Sequence, residues 1–155
     1  MGAIERFTES ARRLGVEPRV QRFPEGTKTA QAAAQAIGCD VAQIVKSLVF
    51  MADEQPVLAF TSGANRVDLG RLADTAGAEK VRRATPEEAR LATGFAVGGT
   101  PPFGHPTRLR AWADPLLLEF DRIWAAAGTP DSVFPLTPAE LLRSTGASTA
   151  EFTER

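Results

Sequence analysis

The sequence predicts an α+β fold in which a mixed β-sheet is flanked by helices, in a single domain covering residues 1–155. Segments with the apolar spacing of helices interleave with short apolar runs typical of strands. These segments do not follow the regular strand–helix–strand alternation of a parallel α/β sheet. A length of 155 residues suits one domain, and no repeat, low-complexity tract or long linker divides it. Both kinds of element are therefore expected in one fold.

Helices are predicted from capping residues and from the spacing of apolar side chains. Thr85-Pro86-Glu87-Glu88 and Thr137-Pro138-Ala139-Glu140 each combine a capping threonine, a first-turn proline and a glutamate at the third position. The predicted helices are residues 3–14 ended by Gly15, residues 30–37 between Thr29 and Gly38, a short helix capped by Asp40 and Gln43, residues 67–76 between Asn65 and Gly77, and those beginning at Thr85 and Thr137.

Strands are predicted where compact apolar runs lie between turn-forming residues. Residues 47–51 and 57–61 are two such runs, and the polar residues between them are typical of a β-hairpin. The predicted strands are residues 16–23, 47–51, 57–61, 80–83, 95–97, 109–113, 123–127 and 133–136.

Composition narrows the class of protein. The apolar share is 43% and the charged share is 24%, as in ordinary globular proteins. A net charge of −1 argues against a general nucleic-acid coat protein, while contact with one nucleic-acid end stays open. No apolar stretch approaches the length of a membrane span, and the N-terminus lacks the apolar segment of a signal peptide. The single cysteine, Cys39, excludes an internal disulfide, so we expect a cytoplasmic protein without membrane contact.

Lys46 is the most informative single residue. It lies in the apolar run of residues 44–50, in a chain with 15 arginines and only three lysines, at positions 28, 46 and 80. An ammonium among apolar side chains is a candidate ligand for a substrate oxygen or phosphate. Alternatively, Lys46 ends a helix with its stem on the core and its charge in water. The residue pattern alone favours the second interpretation.

Several kinds of chemistry are disfavoured by the residues that the chain lacks. His105 is the only histidine and Cys39 the only cysteine, so neither a Cys/His zinc site nor a Ser-His-Asp triad is predicted. Neither of the two common glycine-rich phosphate-binding motifs occurs. We therefore expect no metal and no cofactor, and any catalysis would depend on backbone dipoles, water and groups of the substrate.

The segment from Gly98 to Pro106 combines glycines with three prolines and one aromatic residue, Phe103. Glycines allow close approach of the backbone, and prolines stiffen the chain. Such a loop can hold backbone N–H groups against a carbonyl or ribose oxygen. It can equally be a turn between two strands. Phe103 then either stacks on a base or fills the core.

The order of several motifs resembles the YbaK family, freestanding relatives of the editing domain inserted in bacterial prolyl-tRNA synthetases. The resemblance covers residues 27–146 and favours a functional role for Lys46. It implies a partly barrel-like sheet and hydrolysis, in trans, of the ester that joins a wrong amino acid to tRNA. The matching motifs are residues 43–50, residues 65–69, Gly94, residues 98–104 and Ala127-Gly128.

The resemblance also implies a set of site residues. Lys46, Gly98 and Gly99 would take part in catalysis, with Lys46 near the terminal adenosine and the loop around the adenosine and the aminoacyl carbonyl. No side chain would be the nucleophile; water or a group of the substrate would attack, with a ribose hydroxyl as proton relay. The expected partners are the aminoacylated 3′ end of tRNA and prolyl-tRNA synthetase. The implied substrate-binding residues are Thr100, Pro101, Pro102, Phe103, Gly104, Ala126, Ala127 and Gly128.

Ala126 departs from the pattern of the cysteine-specific members, which carry a serine at that place, and the histidine pattern of the alanine-specific members is missing. We therefore expect a pocket for a small side chain that needs no polar contact, most simply alanine, 2-aminobutyrate or cysteine on tRNA(Pro). The alternatives are a catalytically silent module that binds aminoacyl-tRNA or a synthetase, and a small-ligand domain unrelated to tRNA.

Overall fold

The fold is that of a computed structural model which describes residues 2–27 and 29–155; Met1 and Lys28 lie outside these ranges. The predicted α+β class is confirmed, because helices and strands alternate irregularly along the described chain. Two short 3₁₀ helices, Val41–Gln43 and Pro115–Glu119, accompany the α-helices. The α-helices are α1 (Ala3–Arg13), α2 (Ala30–Ile37), α3 (Leu69–Ala76), α4 (Pro86–Thr93) and α5 (Pro138–Thr145).

Three predicted helix starts are confirmed by their capping hydrogen bonds. The hydroxyls of Thr29, Thr85 and Thr137 each accept a hydrogen bond from a backbone N–H in the first turn of α2, α4 and α5. The predicted entry into α3 at Asn65 is wrong, because Asp68 caps this helix and accepts from Arg71 N at 3.0 Å. An isolated β-bridge holds residue 67 outside the helix.

The strands form two sheets that do not close into a barrel. The larger sheet has the order β4-β2-β3-β5-β8, and the smaller has the order β1-β7-β6. Pairing is antiparallel except for β3 with β5 and β5 with β8, so the larger sheet is mixed, as predicted. The strands are β1 (Gln21–Arg22), β2 (Val45–Ala52), β3 (Gln55–Ser62), β4 (Val81–Arg83), β5 (Arg110–Ala113), β6 (Ile123–Ala126), β7 (Ser132–Leu136) and β8 (Ser148–Thr149).

The predicted hairpin is confirmed and is longer than expected. β2 and β3 pair over eight residues each around a two-residue turn, Asp53-Glu54. Both turn residues have positive φ, +48° and +64°, as the favoured two-residue hairpin turns require. Asp53 stabilises this turn by accepting hydrogen bonds from the backbone of Glu79 and Lys80.

Two predicted strands differ from the structure. Residues 95–97 form a turn, in which Gly99 N donates to Ala96 O and the Thr93 hydroxyl accepts from Phe95 N. The strand predicted at residues 16–23 shrinks to β1, the only part that reaches a partner strand. β8 was not predicted; its two residues pair only with β5.

The main core lies between the two sheets and is closed by α1. Phe7 of α1 is fully buried, with ring centroids 4.7 Å from Phe134 and 5.4 Å from Phe103. A second core on the opposite face of the larger sheet contains Phe50 and Leu72. None of the helices in the described part of the chain is long and apolar enough to cross a membrane.

β2 has an incompletely paired edge that opens a gap between the sheets. Its edge towards β3 is paired throughout, whereas on the other edge only residues 50–52 pair with β4. An isolated parallel bridge between Ile44 and Trp124 connects the beginning of β2 to β6. Residues 45–48 therefore have no regular strand partner on this edge.

Replacement of Phe7 by alanine tests the role of α1 in closing the core. We expect Phe7→Ala to lower the free energy of unfolding by about 3–5 kcal/mol, as for other fully buried phenylalanines. Leu91→Ala is a matched control because Leu91 is 76% exposed, and it should change stability by no more than about 0.5 kcal/mol. Urea denaturation measures both, and equal stabilities of the two variants would contradict this packing.

Candidate functional site

A cavity of about 290 Å³ lies at the incompletely paired edge of β2. One wall is formed by residues 45–49 of β2 and the facing wall by residues 124–126 of β6. Residues of α2 and the turn at residues 97–100 close two further sides. The gap between the sheets thus becomes a pocket with an apolar floor and backbone groups along its rim.

Lys46 is the second residue of β2, so the alternative of a lysine that ends a helix is wrong. Its side chain is half-buried and lines the cavity, and Nζ donates a hydrogen bond to Asn65 O over 2.6 Å. Burial lowers the pKa of the Lys46 ammonium, and the positive charges of Arg66 and Arg83 lower it further, while Asp114 partly opposes them. The ammonium is therefore less well solvated than an ordinary surface lysine.

Asn65 is held in place by a buried carboxylate. Its side-chain amide donates to Asp114 Oδ2 over 2.9 Å, and Asp114 is only 2% exposed. Asp114 also accepts from the backbone of Ser62 and Leu116. This network fixes the Asn65 carbonyl that receives the Lys46 ammonium, so the motif at residues 65–69 orients the lysine.

The glycine-rich loop reaches the cavity through a close backbone contact. A Cβ atom on Gly99 would lie 2.7 Å from the backbone of Thr129, so only glycine allows the loop to pack against this turn. Gly98, at φ +90°, and Thr100 then line the cavity. The Thr100 hydroxyl donates to Ala96 O over 3.1 Å and holds the turn closed.

The structure brings Lys46, Gly98, Thr100 and Ala126 together around the cavity. The remaining implied residues lie elsewhere. Gly99 and Gly128 provide close backbone contacts, with Thr129 and with Ala3 respectively, and Ala127 is fully buried in the main core. The Pro101 carbonyl lies 2.8 Å from His105 Nε2. A second cavity of about 260 Å³, on a different part of the surface, is lined by Pro102, Phe103 and Gly104.

Many cavity residues were not selected from the sequence, among them Ser47, Arg83 and Trp124. Ser47 lies between Val45 and Val49 on the face of β2 that points into the main core. Strand alternation could have found it, because a serine between two buried valines on one face is unusual. Arg83 could be placed at the cavity only from the register of β4, in which it pairs with Phe50.

Neither His105 nor Cys39 lines this cavity. Burial lowers the pKa of His105, which faces the second cavity, and burial raises the pKa of the Cys39 thiol. Within residues 2–27 and 29–155, no group of three or more His, Cys, Asp or Glu side chains could hold a metal ion. The polar groups that face the cavity are therefore hydroxyls, cations and the backbone.

The lowered pKa of Lys46 predicts a specific pH dependence of stability. The unfolded chain retains the proton up to an ordinary lysine pKa of about 10.4, whereas the folded chain releases it at a lower pH. Between these two values the unfolded state binds more protons, so the free energy of unfolding should rise with pH relative to that of Lys46→Met. Urea denaturation of both proteins at several pH values measures this difference. If the free energy of unfolding of the wild type, relative to that of Lys46→Met, fell with rising pH over this range, the folded state would stabilise the charged form of Lys46.

Comparisons with known proteins agree with this architecture. The family model of the aminoacyl-tRNA editing domain matches residues 24–144. The crystal structure of a candidate trans-editing enzyme for prolyl tRNA synthetase superposes with a TM-score of 0.94 at 45% sequence identity, covering 100% of this chain and 99% of that chain.

Sequence relatives extend the comparison. The uncharacterized protein YwhH of Bacillus subtilis (strain 168) is 32% identical over 126 residues, which are 81% of this chain and 80% of YwhH. The multifunctional Ser/Thr-tRNA deacylase ProXp-y of Escherichia coli (strain K12) is 34% identical over 124 residues, which are 77% of this chain and 74% of that protein. The resemblance inferred from the motifs is confirmed, and the chain belongs to the aminoacyl-tRNA editing domain family.

Proposed function

We propose that this protein is an aminoacyl-tRNA deacylase that hydrolyses, in trans, the ester joining a wrongly attached amino acid to tRNA. The observation that carries this proposal is the convergence of Lys46, Gly98 and Thr100 on one cavity in a chain of the editing-domain family. At about 290 Å³ the cavity is at the small end of ligand-binding pockets, which span about 300–1,000 Å³. It suits an aminoacyl group better than a large ligand.

Lys46 binds the substrate through its ammonium group. An ammonium has three N–H donors, and the hydrogen bond to Asn65 O occupies one of them. The others are available to oxygens of the terminal nucleotide. Because the group is half-buried, hydrogen bonds to an anionic or polar substrate oxygen are stronger here than at an exposed site.

The ester is attacked by water rather than by a protein side chain. Two of the three residues at positions 98–100 are glycines, so the backbone of this loop can approach the ester carbonyl. Its N–H groups can then stabilise the negative charge that develops on the carbonyl oxygen. His105 and Cys39 lie away from the cavity and do not supply a base or nucleophile. A ribose hydroxyl of the substrate then serves as proton relay.

The cavity carries positive charge that suits the phosphates of a tRNA 3′ end. Arg82 is neutralised by ion pairs with Glu54 and Glu88 at 2.8 and 2.7 Å. Arg83, which lines the cavity, and Arg66, which acts on Lys46, form no ion pair with any described residue. Unpaired guanidinium groups beside a binding cavity favour a phosphate-bearing substrate.

A small amino acid on tRNA(Pro) is the proposed substrate. One solved structure similar over the whole chain is that of a candidate trans-editing enzyme for prolyl tRNA synthetase, which supports a role downstream of this synthetase. Val45, Val49, Ala125 and Ala126 give the cavity apolar walls of limited depth. Alanine, 2-aminobutyrate and cysteine fit such walls, and a second hydrolytic site is needed because binding alone separates side chains differing by a methylene only about 10–200-fold.

Substitution of Lys46 tests the proposed function. We expect Lys46→Ala to slow single-turnover deacylation of misacylated tRNA(Pro) by roughly 10–150-fold, the loss of a hydrogen bond to a charged group. Lys46→Arg should also be slow, because a planar guanidinium does not occupy an ammonium site equivalently. Lys80→Ala is the matched control, since Lys80 is exposed and does not line the cavity.

Circular dichroism of each variant distinguishes lost chemistry from lost folding. Near-wild-type rates for Lys46→Ala would remove this residue from the mechanism. A wild-type protein that binds aminoacyl-tRNA and hydrolyses none of the misacylated forms would instead identify a silent binding module.

A further inference from the structure

Two hydrogen bonds establish which edge of β2 each backbone group faces. On the side of β3, Ile44 O accepts from Gly63 N over 2.8 Å. On the side of β4, Val49 O accepts from Ala84 N over 3.2 Å. Since the main-chain groups of successive strand residues face opposite edges, the odd-numbered residues between these two bonds face away from β3. The N–H and C=O of Ser47 therefore point into the gap between the sheets.

Ser47 presents main-chain surface to the cavity. The residue lines the cavity and is only half-buried, although its Oγ is buried. A ligand in the cavity thus reaches the backbone at this position rather than the hydroxyl. No strand pairs with Ser47 on this edge, and within residues 2–27 and 29–155 neither its N–H nor its C=O bonds to the backbone of a turn or loop.

The aminoacyl part of the substrate carries the two groups that this edge lacks. Its α-amino group is a donor and its ester carbonyl oxygen is an acceptor, joined through one Cα atom as in any residue of a chain. In a hydrogen-bonded antiparallel pair, two opposed residues exchange both of their N–H···O bonds, so a single residue is enough to satisfy Ser47. Extended segments bind exposed strand edges in the same way, and main-chain hydrogen bonds supply the affinity.

We propose that the aminoacyl group binds as a one-residue addition to the free edge of β2, with the Ser47 C=O accepting from the α-amino group and the Ser47 N–H donating to the ester carbonyl oxygen. The proposal rests on the deacylase function proposed above and names the contacts that hold the aminoacyl group there. The Lys46 side chain, which lines the same cavity, is left to bind the terminal nucleotide. Because Ser47 contacts only atoms that all amino acids share, selection among them depends on side-chain size.

The test measures binding, because an α-amino group also changes the intrinsic reactivity of an ester. One tRNA(Pro) carries alanine at its 3′ end through a stable amide, and a second carries a propionyl group, which is alanine without the α-amino group. We expect the dissociation constant of the propionyl analogue to be at least about 10-fold higher, because this analogue leaves the Ser47 C=O without a donor. Equal dissociation constants, or no binding of either analogue, would overturn the proposal.

Two variants locate the contact at the backbone of residue 47. Ser47→Pro removes an N–H that makes no bond to β3, and its ring occupies the space beside the free edge. We expect it to bind the alanyl analogue at least about 10-fold more weakly than wild type does and to prefer neither analogue. Ser47→Ala keeps the backbone and should keep the preference for the alanyl analogue. Loss of that preference in Ser47→Ala would assign the contact to the hydroxyl and contradict the proposal.

The ¹³C chemical shift of the Ser47 carbonyl in the wild-type protein gives a second measurement if Ser47→Pro does not fold. It should change more with the alanyl than with the propionyl analogue, whereas the Leu48 carbonyl, which faces β3, should respond equally to both. The same Ser47 shift with both analogues would overturn the proposal. Equal binding of the two analogues by a protein that does hydrolyse misacylated tRNA(Pro) would refute this binding mode alone. Absence of hydrolysis of every misacylated tRNA would instead refute the deacylase function.

Discussion

The site depends on the unequal pairing of one strand. β2 is bound along its whole length by β3 but on its other edge only by the three residues of β4 and a single bridge to β6. The unpaired stretch separates the two sheets and opens the cavity between them. Because successive side chains of a strand point to opposite faces, the same stretch presents Lys46 on one face and Ser47 on the other. The Lys46 cation thus borders one small pocket.

Electrostatics reinforces this geometry. The Lys46 ammonium, desolvated by burial, lies near the positive charges of Arg66 and Arg83, which lower its pKa. The nearby carboxylate of Asp114 is already bound to backbone N–H groups and to the Asn65 amide. The site therefore has positive charge that its own carboxylates do not neutralise, and a polyanionic substrate end would relieve that repulsion. The packing of Gly99 against Thr129 keeps the glycine loop beside these cations.

Local chemistry made much of the fold predictable, and long-range pairing explains what was not. Thr85 and Thr137 identified their helices because capping depends on neighbouring residues alone. Asn65 was misassigned as a helix entry because its partner, Asp114, is 49 residues away. The place of Arg83 at the cavity depends on the register of β4, which no short sequence motif encodes. Lys46 was singled out by its apolar surroundings, but only the family resemblance favoured a functional role for it, and its position in a strand was not predicted.

Selectivity between proline and smaller amino acids tests most directly whether this cavity is the hydrolytic site of an editing enzyme. The measurement compares single-turnover deacylation of tRNA(Pro) charged with proline, alanine, 2-aminobutyrate, cysteine or serine under identical conditions. We expect at least one small amino acid to be removed rapidly and proline to be spared, because its ring adds bulk where the walls of β2 and β6 and the turn at residues 97–100 confine the ligand. Hydrolysis of prolyl-tRNA(Pro) as fast as the best small substrate would contradict the editing role of the cavity.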